Sequence, residues 1–250
     1  MNKKDLLTVG YSTLGKRLSA IKYLDSVFNL LVIQNPNSDS LPATDSSVKR
    51  VELKSRGVAK SRNAVIENTT TEYLLFGDDD IEFKEESINA ALEYLESNPE
   101  ISILLLQAVD ETGTLRKSYP RDAHPLKLTN SAKAATYEMI IRVPDVKRKS
   151  IKFDENFGAG AENYLGDEYI FIADALRAGL KGYFLPIVIA THPSDSSGSF
   201  HNTKQDAIVR SRIFARVFGI WAPLMRLLFI LKPPSKKFGL RNSISFLIGR

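Results

Sequence analysis

The chain of 250 residues contains no cysteine. That excludes disulfides and thiolate metal sites, and it agrees with a reducing compartment. A signal peptide is not expected either. The start, "MNKKDLLTVGYST", gives two lysines and a short apolar run that soon turns polar. It lacks the longer apolar stretch and small-residue cleavage site that export requires, so the expected location is the cytoplasm. There is no internal repeat and no low-complexity tract. In the last segment the longest uncharged run, Val217 to Met225, falls far short of the ~20 residues that cross a bilayer. What is present describes a globular protein: 43% of residues are hydrophobic and 25% charged, enough to bury a sizeable core. The formal net charge of +5 points to anionic partners, such as nucleic acid, nucleotide or lipid head groups, without choosing among them.

Strand and helix signals alternate along the first part. "LLTVGY", "LLVIQN", "VKRVEL", "EYLLF" and "ISILLLQA" read as strands. "GVAKSRNAVIEN" and "KEESINAALEYLES" read as helices. The spacing of Leu14, Leu18, Ile21, Leu24, Val27 and Phe28 predicts another helix over 14–28. Further on, "TYEMIIRV" reads as a strand, "FDENFGAGAENYLG" as a mobile glycine-rich loop, "DEYIFIADALRAG" as a helix and "KGYFLPIVIATHP" as a last strand. "SDSSGSFHN" then reads as flexible. Such alternation implies an α/β fold with a mixed, mostly parallel sheet flanked by helices. Ligands of such sheets bind beyond the carboxyl ends of the strands.

One such end carries Asp78, Asp79 and Asp80. Two carboxylates ~4 Å apart repel by about 4 kcal/mol at an effective dielectric near 20. Protonation relieves this, and so does a divalent cation; hard oxygen ligands suit magnesium or manganese. Upstream, Gly57 permits a close approach and opens a helix whose first N–H groups can meet an anion, with Lys60, Arg62 and Asn63 nearby. Asp167 and Glu168 stand at the predicted start of a helix. The helix dipole favours their ionised forms, which suits a general base. His192 follows the last strand and can ligate a metal. The bland readings of these features are an acidic turn, an amphipathic helix, a helix cap and a structural histidine.

Taken in order, "GVAKSRNAVIE", "EYLLFGDDDI", "FDENFGAGAENYLGDEYIFIADALRAGLKGYFLP" and His192 in "THPSDSSG" resemble the family 2 inverting glycosyltransferases. The resemblance covers roughly residues 6–198. It implies the GT-A, Rossmann-like fold, a nucleotide-sugar donor, Mn2+ or Mg2+, and a single displacement with inversion. Carried over, it implies that Arg56, Lys60, Arg62, Asn63, Asp78 and Asp79 bind the donor. Asp80, Asp78 and His192 would hold the metal, and Asp167 or Glu168 would be the catalytic base. By register Glu168 takes the base's place; by residue type Asp167 does, and the choice leans to Asp167. The family usually has an acid after the second strand, near the nucleobase. Here Gln34, Asn35 or Asp39 stands in that stretch.

The expected organisation is a glycosyltransferase domain over 1–200, with a nucleotide-sugar half (1–107) and an acceptor half (108–200). Residues 201–250 then form a basic amphipathic helical segment. Large apolar residues interrupted by Arg210, Arg212, Arg216 and Arg226 suit helices lying in a membrane interface; the alternative is a helix packed on the core. The acceptor is expected to be a polysaccharide or lipid-linked glycan, and the place the inner face of the cell membrane. Two other functions fit the early residues: a sugar nucleotidyltransferase, and a non-catalytic membrane-associated nucleotide-sugar-binding protein. Nucleic acid is not expected, since the basic residues cluster with apolar ones without an aromatic stacking platform.

Overall fold

A computed structural model of the chain describes residues 3–194, 203–231 and 239–249. Of the stretch "SDSSGSFHN", read as flexible, residues 195–202, with His201 among them, lie outside the described residues. In chain order the elements are α1 (Lys3–Leu6), β1 (Leu7–Thr13), β2 (Phe28–Gln34), β3 (Val48–Leu53), α2 (Val58–Asn68), β4 (Tyr73–Asp78), β5 (Glu82–Phe83) and α3 (Glu85–Ser97). Then come β6 (Ile101–Val109), β7 (His124–Pro125), β8 (Met139–Arg142), α4 (Val143–Arg148), α5 (Asp167–Arg177), β9 (Lys181–Thr191), α6 (Lys204–Phe218), α7 (Ala222–Ile230) and α8 (Gly239–Ile248).

Among the described residues the strands form one sheet in the order β3-β2-β1-β4-β8-β6-β9-β5, with β7 paired to β9. The pairs β3–β2, β2–β1, β1–β4 and β6–β9 are parallel. β8 is antiparallel to both neighbours, and β5 and β7 are antiparallel to β9. Every residue of β1 and of β6 is buried, as expected for strands covered on both faces. On one face α3 lays down Ile88, Ala91, Leu92 and Leu95, the i, i+3, i+4, i+7 stripe of an amphipathic helix. On the other, α2, α4 and α5 cover Leu30, Leu74, Ile103 and Ile141. The two halves, 1–107 and 108–200, share the sheet, because β8 is inserted between β4 and β6.

Three expectations are corrected. Residues 14–27 are not a helix; only a 3-10 turn forms, at Leu18–Ala20. Ile21 and Val27 are buried in the core and Leu18 and Leu24 pack against it, so a crossing loop satisfies the apolar spacing. The predicted strand from Thr136 shortens to β8, because a 3-10 turn occupies Thr136–Glu138 and α4 starts at Val143 with Pro144 in its first turn, where proline is favoured. The glycine-rich stretch 153–166 is pinned rather than loose. Asn63 Nδ2 donates to Phe153 O at 3.0 Å, and Phe153 N donates back to Asn63 Oδ1 at 2.8 Å. Val58 N donates to Ala159 O at 2.9 Å.

At the C-terminus, Thr203 and Asp206 exchange the reciprocal hydrogen bonds of a capping box and open α6. Lys204–Ile230 is long and apolar enough to cross a membrane by length and composition. Its backbone, however, turns at Gly219 (φ 54°), and the Phe229 ring comes within 5.3 Å of Phe214. In an unbroken helix those rings would be ~22 Å apart. The segment is therefore a helical hairpin. It is mounted on α5 through Val209, Ile213 and Val217, which join Tyr169, Ile170 and Ala173.

Candidate active site

The aspartate trio lies where β4 ends beside β1, with Asp78 in register with Ser12. Each carboxylate meets a different partner. Asp79 Oδ2 accepts from Thr13 Oγ1 at 2.6 Å, and its Oδ1 lies 2.5 Å from Arg17 Nη2. The same Arg17 nitrogen is 3.2 Å from Asp80. Asp78 sits 3.8 Å from Arg62 Nη2. Burial raises its pKa, Arg62 opposes that, and Asp80 adds to it. The protein thus supplies its own positive charge to the trio, from two arginines. Sequence reasoning missed Arg17, because the expected helix over 14–28 hid it. Its signal was a basic residue just after the first strand, in "GYSTLGKR".

Arg62 organises the second half of the site. Its side chain is 7% exposed and bonds Asp167, with Glu168 Oε1 at 3.3 Å. The Phe153 ring lies 5.7 Å beneath the guanidinium. Burial alone would lower the pKa of Arg62; Asp167, Glu168 and Asp78 together outweigh it and raise it. The acidic pair is split by its surroundings. Asp167 has a side-chain exposure of 4% against 22% for Glu168. Burial first, and the charge of Glu168 second, push Asp167 up to about 7 against the pull of Arg62. For Glu168, burial is outweighed by Arg62 and by hydrogen bonds, which hold it below the usual range. One of those bonds comes from Thr136 Oγ1 at 3.0 Å. Thr136 is a second residue missed from sequence, since it reads there as part of a strand.

The close packing of Asp167 depends on Gly158. A Cβ there would lie 2.7 Å from Asp167 Cγ, and φ is +93°, a conformation that favours glycine. Asn63, expected to bind the donor, instead has its amide committed to the backbone of Phe153 on both sides. It builds the wall of the site. The start of α2 is likewise closed to an anion at its first groups. Gly57 N donates to Gln34 Oε1 at 2.8 Å and Val58 N to Ala159 O. Lys60 is half-buried, on the same turn as Gly57.

A cleft of about 180 Å³ opens beside the trio, lined by Leu14, Lys16, Asn35, Asp39, Leu41 and Arg56. Its loop continues from Thr13 to Arg17, both of which hold Asp79. Gln34 and Asn35 maintain its shape. Asn35 Nδ2 donates to Asp39 O and Glu52 Oε2, and its Oδ1 accepts from Asp39 N. Of the three stand-ins considered after β2, the exposed Asp39 is left as the one facing outward at the rim. Lys16 and Arg56 put two cationic side chains on its lining.

On the other side of the trio, His192 follows β9. Its Nδ1 lies 2.7 Å from Pro193 O; a carbonyl only accepts, so Nδ1 carries the proton. Nε2 is then left facing Asp80 Oδ1, at 3.7 Å. The Tyr137 ring stacks on the imidazole at 4.9 Å and 25°. A backbone acceptor on one ring nitrogen is the usual support for a metal-binding histidine. Among the described residues no group of three or more His, Cys, Asp or Glu could hold a metal ion alone. By donor type, Asp80 and His192 could contribute two ligands to a divalent cation.

The model of Glycosyl transferase family 2 matches residues 35–158, a stretch that contains Arg56, Arg62, the aspartate trio and Gly158. No curated protein matches by sequence. Among solved structures, S. aureus TarS 1-349 superposes with a TM-score of 0.60 at 14% identity, covering 97% of this chain and 81% of that one. Its complex with UDP-GlcNAc superposes at 0.62 and 14%, covering 98% and 79%. The longer S. aureus TarS chain gives 0.60 at 13%, covering 92% and 44%. At such identities the superpositions speak for the fold, and they agree with the mixed sheet described above. Motif order, sheet and family match converge: the chain belongs to glycosyl transferase family 2 and has the GT-A fold.

Proposed function

We propose that this enzyme moves a sugar, with inversion, from a nucleoside-diphosphate sugar to a polysaccharide or lipid-linked glycan acceptor. The observation that carries the reading is the placement of two devices close enough to Asp78 for both to act on its charge. One is the Asp80–His192 pair; the other is Glu168, ionised and partly open beside Arg62. That a TarS structure holds UDP-GlcNAc and another holds UDP supports a uridine diphosphate donor here.

In this reading the heterocycle occupies the cleft of Leu14, Asp39 and Arg56, and Asp78 faces the ribose side. Asp79 holds the loop of Thr13 and Arg17 in place. Asp80 and His192 would hold Mn2+ or Mg2+, with Asp78 close by. When bound, the ion offsets the negative charge that grows on the departing diphosphate. The acceptor oxygen bonds to the anomeric carbon as the bond from that carbon to the phosphate oxygen breaks. Its electrons leave with the nucleoside diphosphate, and the acceptor's hydroxyl proton passes to Glu168. A single displacement needs one base, and only one of the two acids is open enough to serve.

The test is UDP release from UDP-GlcNAc, with and without Mn2+, by the intact chain and by Asp80→Ala. Turnover of the variant is expected to fall ~100-fold or more. Its unfolding midpoint should stay within about 2 °C, because a partly exposed acid among other acids adds little stability. Wild-type turnover with unchanged Mn2+ dependence in Asp80→Ala would falsify the metal assignment.

A further inference from the structure

The helix α7 is built upside down for a water-facing protein. Its one charged residue, Arg226, is turned inward: Nη2 donates to Ser211 O of α6 at 2.7 Å and Nη1 to Leu247 O of α8 at 3.2 Å. Its leucines are turned outward. Leu224, Leu227, Leu228 and Leu231 are all exposed, and they fall at i, i+3, i+4 and i+7, one face of a helix. At the tip of the hairpin Ile220 is 90% exposed and Trp221 is 63% exposed. The neighbouring α8 leaves Ile244 and Ile248 exposed as well. Scattered apolar residues on a surface need no explanation, but a contiguous apolar face marks a docking surface.

Charge decides the partner. Residues 203–250 carry ten basic residues and one acidic residue, so the remaining chain is net acidic although the whole is +5. The one acid, Asp206, is buried. Arg212 and Arg216 are held by Glu162, Asp154 and Asp174 of the catalytic domain, which fixes the hairpin rigidly to it. Arg241 is exposed, and the sequence between α7 and α8 adds Lys232, Lys236 and Lys237. A second copy would bring further basic residues and no acid on α7 or α8 to meet them, whereas an anionic surface supplies the opposite charge. We infer that α7, the hairpin tip and α8 dock this enzyme onto a bilayer of anionic phospholipid, lying in the interface. They do not cross it: α7 has 9 residues, a length of ~14 Å against a hydrocarbon core of ~30 Å. The hairpin packs on α5, whose first turn is Asp167 and Glu168. Docking therefore presents that turn at a fixed height over the membrane, which suits an acceptor held there.

Trp221 is the one tryptophan of the chain, so its emission reports the tip directly. The intact protein is mixed with vesicles of phosphatidylcholine alone and of phosphatidylcholine with phosphatidylglycerol. The expected result is co-sedimentation with the anionic vesicles and a shift of emission to shorter wavelength. Binding should be roughly ten-fold weaker or more with neutral vesicles and in high salt. Leu224→Glu/Leu228→Glu should lose both signals with an unchanged circular dichroism spectrum; Leu227→Glu gives a second variant if the pair fails to fold. Absent binding to anionic vesicles overturns the inference. So does a lipid-free emission shift that follows protein concentration with a dimer mass, which would assign the face to a second copy. No readout requires catalysis, so failure here leaves the transfer reading standing, and the reverse also holds.

Discussion

Arg62→Met is expected to cost about 3–5 kcal/mol of stability near neutral pH, the usual loss when one member of a buried ion pair is removed. For a chain of this size that is a fall in unfolding midpoint of roughly 6–20 °C. The reason is local. Arg62 lies against Asp167, 3.3 Å from Glu168 and 3.8 Å from Asp78, and methionine fills similar space without the charge. The signature is in the pH dependence. Asp167 and Asp78 are already raised by burial, and without Arg62 they rise further. A carboxyl whose folded pKa exceeds its unfolded value stabilises fully below the unfolded pKa, near ~4. That contribution is lost as pH rises through the folded value, about 7 for Asp167 with Arg62 present. Glu168 has the opposite sign: Arg62 holds it low, a gain present above ~4.3 and lost as pH falls. The penalty is therefore largest at pH 8, smaller at pH 4–5 where Asp167 is protonated and the Glu168 part remains, and smallest below that. Urea unfolding across that window measures it. A penalty of equal size at every pH would show that Arg62 acts by packing on Phe153 and not by charge.

What the sequence made legible was local. The strands "EYLLF" and "ISILLLQA" are continuous apolar runs because both faces are covered, and the trio follows directly on one of them. The acidic pair stands at a helix start that its own residues announce. What was not legible depends on distant partners. Arg17 could be placed only once the Leu14–Val27 stretch was seen as a crossing loop. Its apolar spacing is that of a helix, yet Ile21 and Val27 are buried without one. The closing of α2's first turn comes from Ala159, about a hundred residues away, and that carbonyl arrives only because Gly158 lets the chain pass Asp167. The inverted α7 has an amphipathic composition in any reading. Which side faces out was settled by Arg226 finding the carbonyls of Ser211 and Leu247.

Glu168→Gln should lower turnover by ~10²–10⁴-fold, the range for a positioned general base, while UDP binding stays near the wild-type value. Asp167→Asn should lower it far less, since asparagine can still accept from Arg62 at that buried position. Residue type leaned to Asp167 as the base; burial argues for Glu168, whose side chain is 22% exposed against 4%. A proton must travel from the acceptor hydroxyl to the base within hydrogen-bond reach, and a carboxylate enclosed by Arg62 and Gly158 offers no such path. The pH–rate profile separates the two assignments without any variant. Activity requires the ionised base, so it rises with pH through that group's pKa. With Glu168, held below the ordinary glutamate value, the acid limb lies below about pH 4.5 and the rate is flat through neutrality. With Asp167, at about 7, the rate would climb steadily between roughly pH 6 and 8. A limb centred near neutrality that survives in Glu168→Gln would return the role to Asp167.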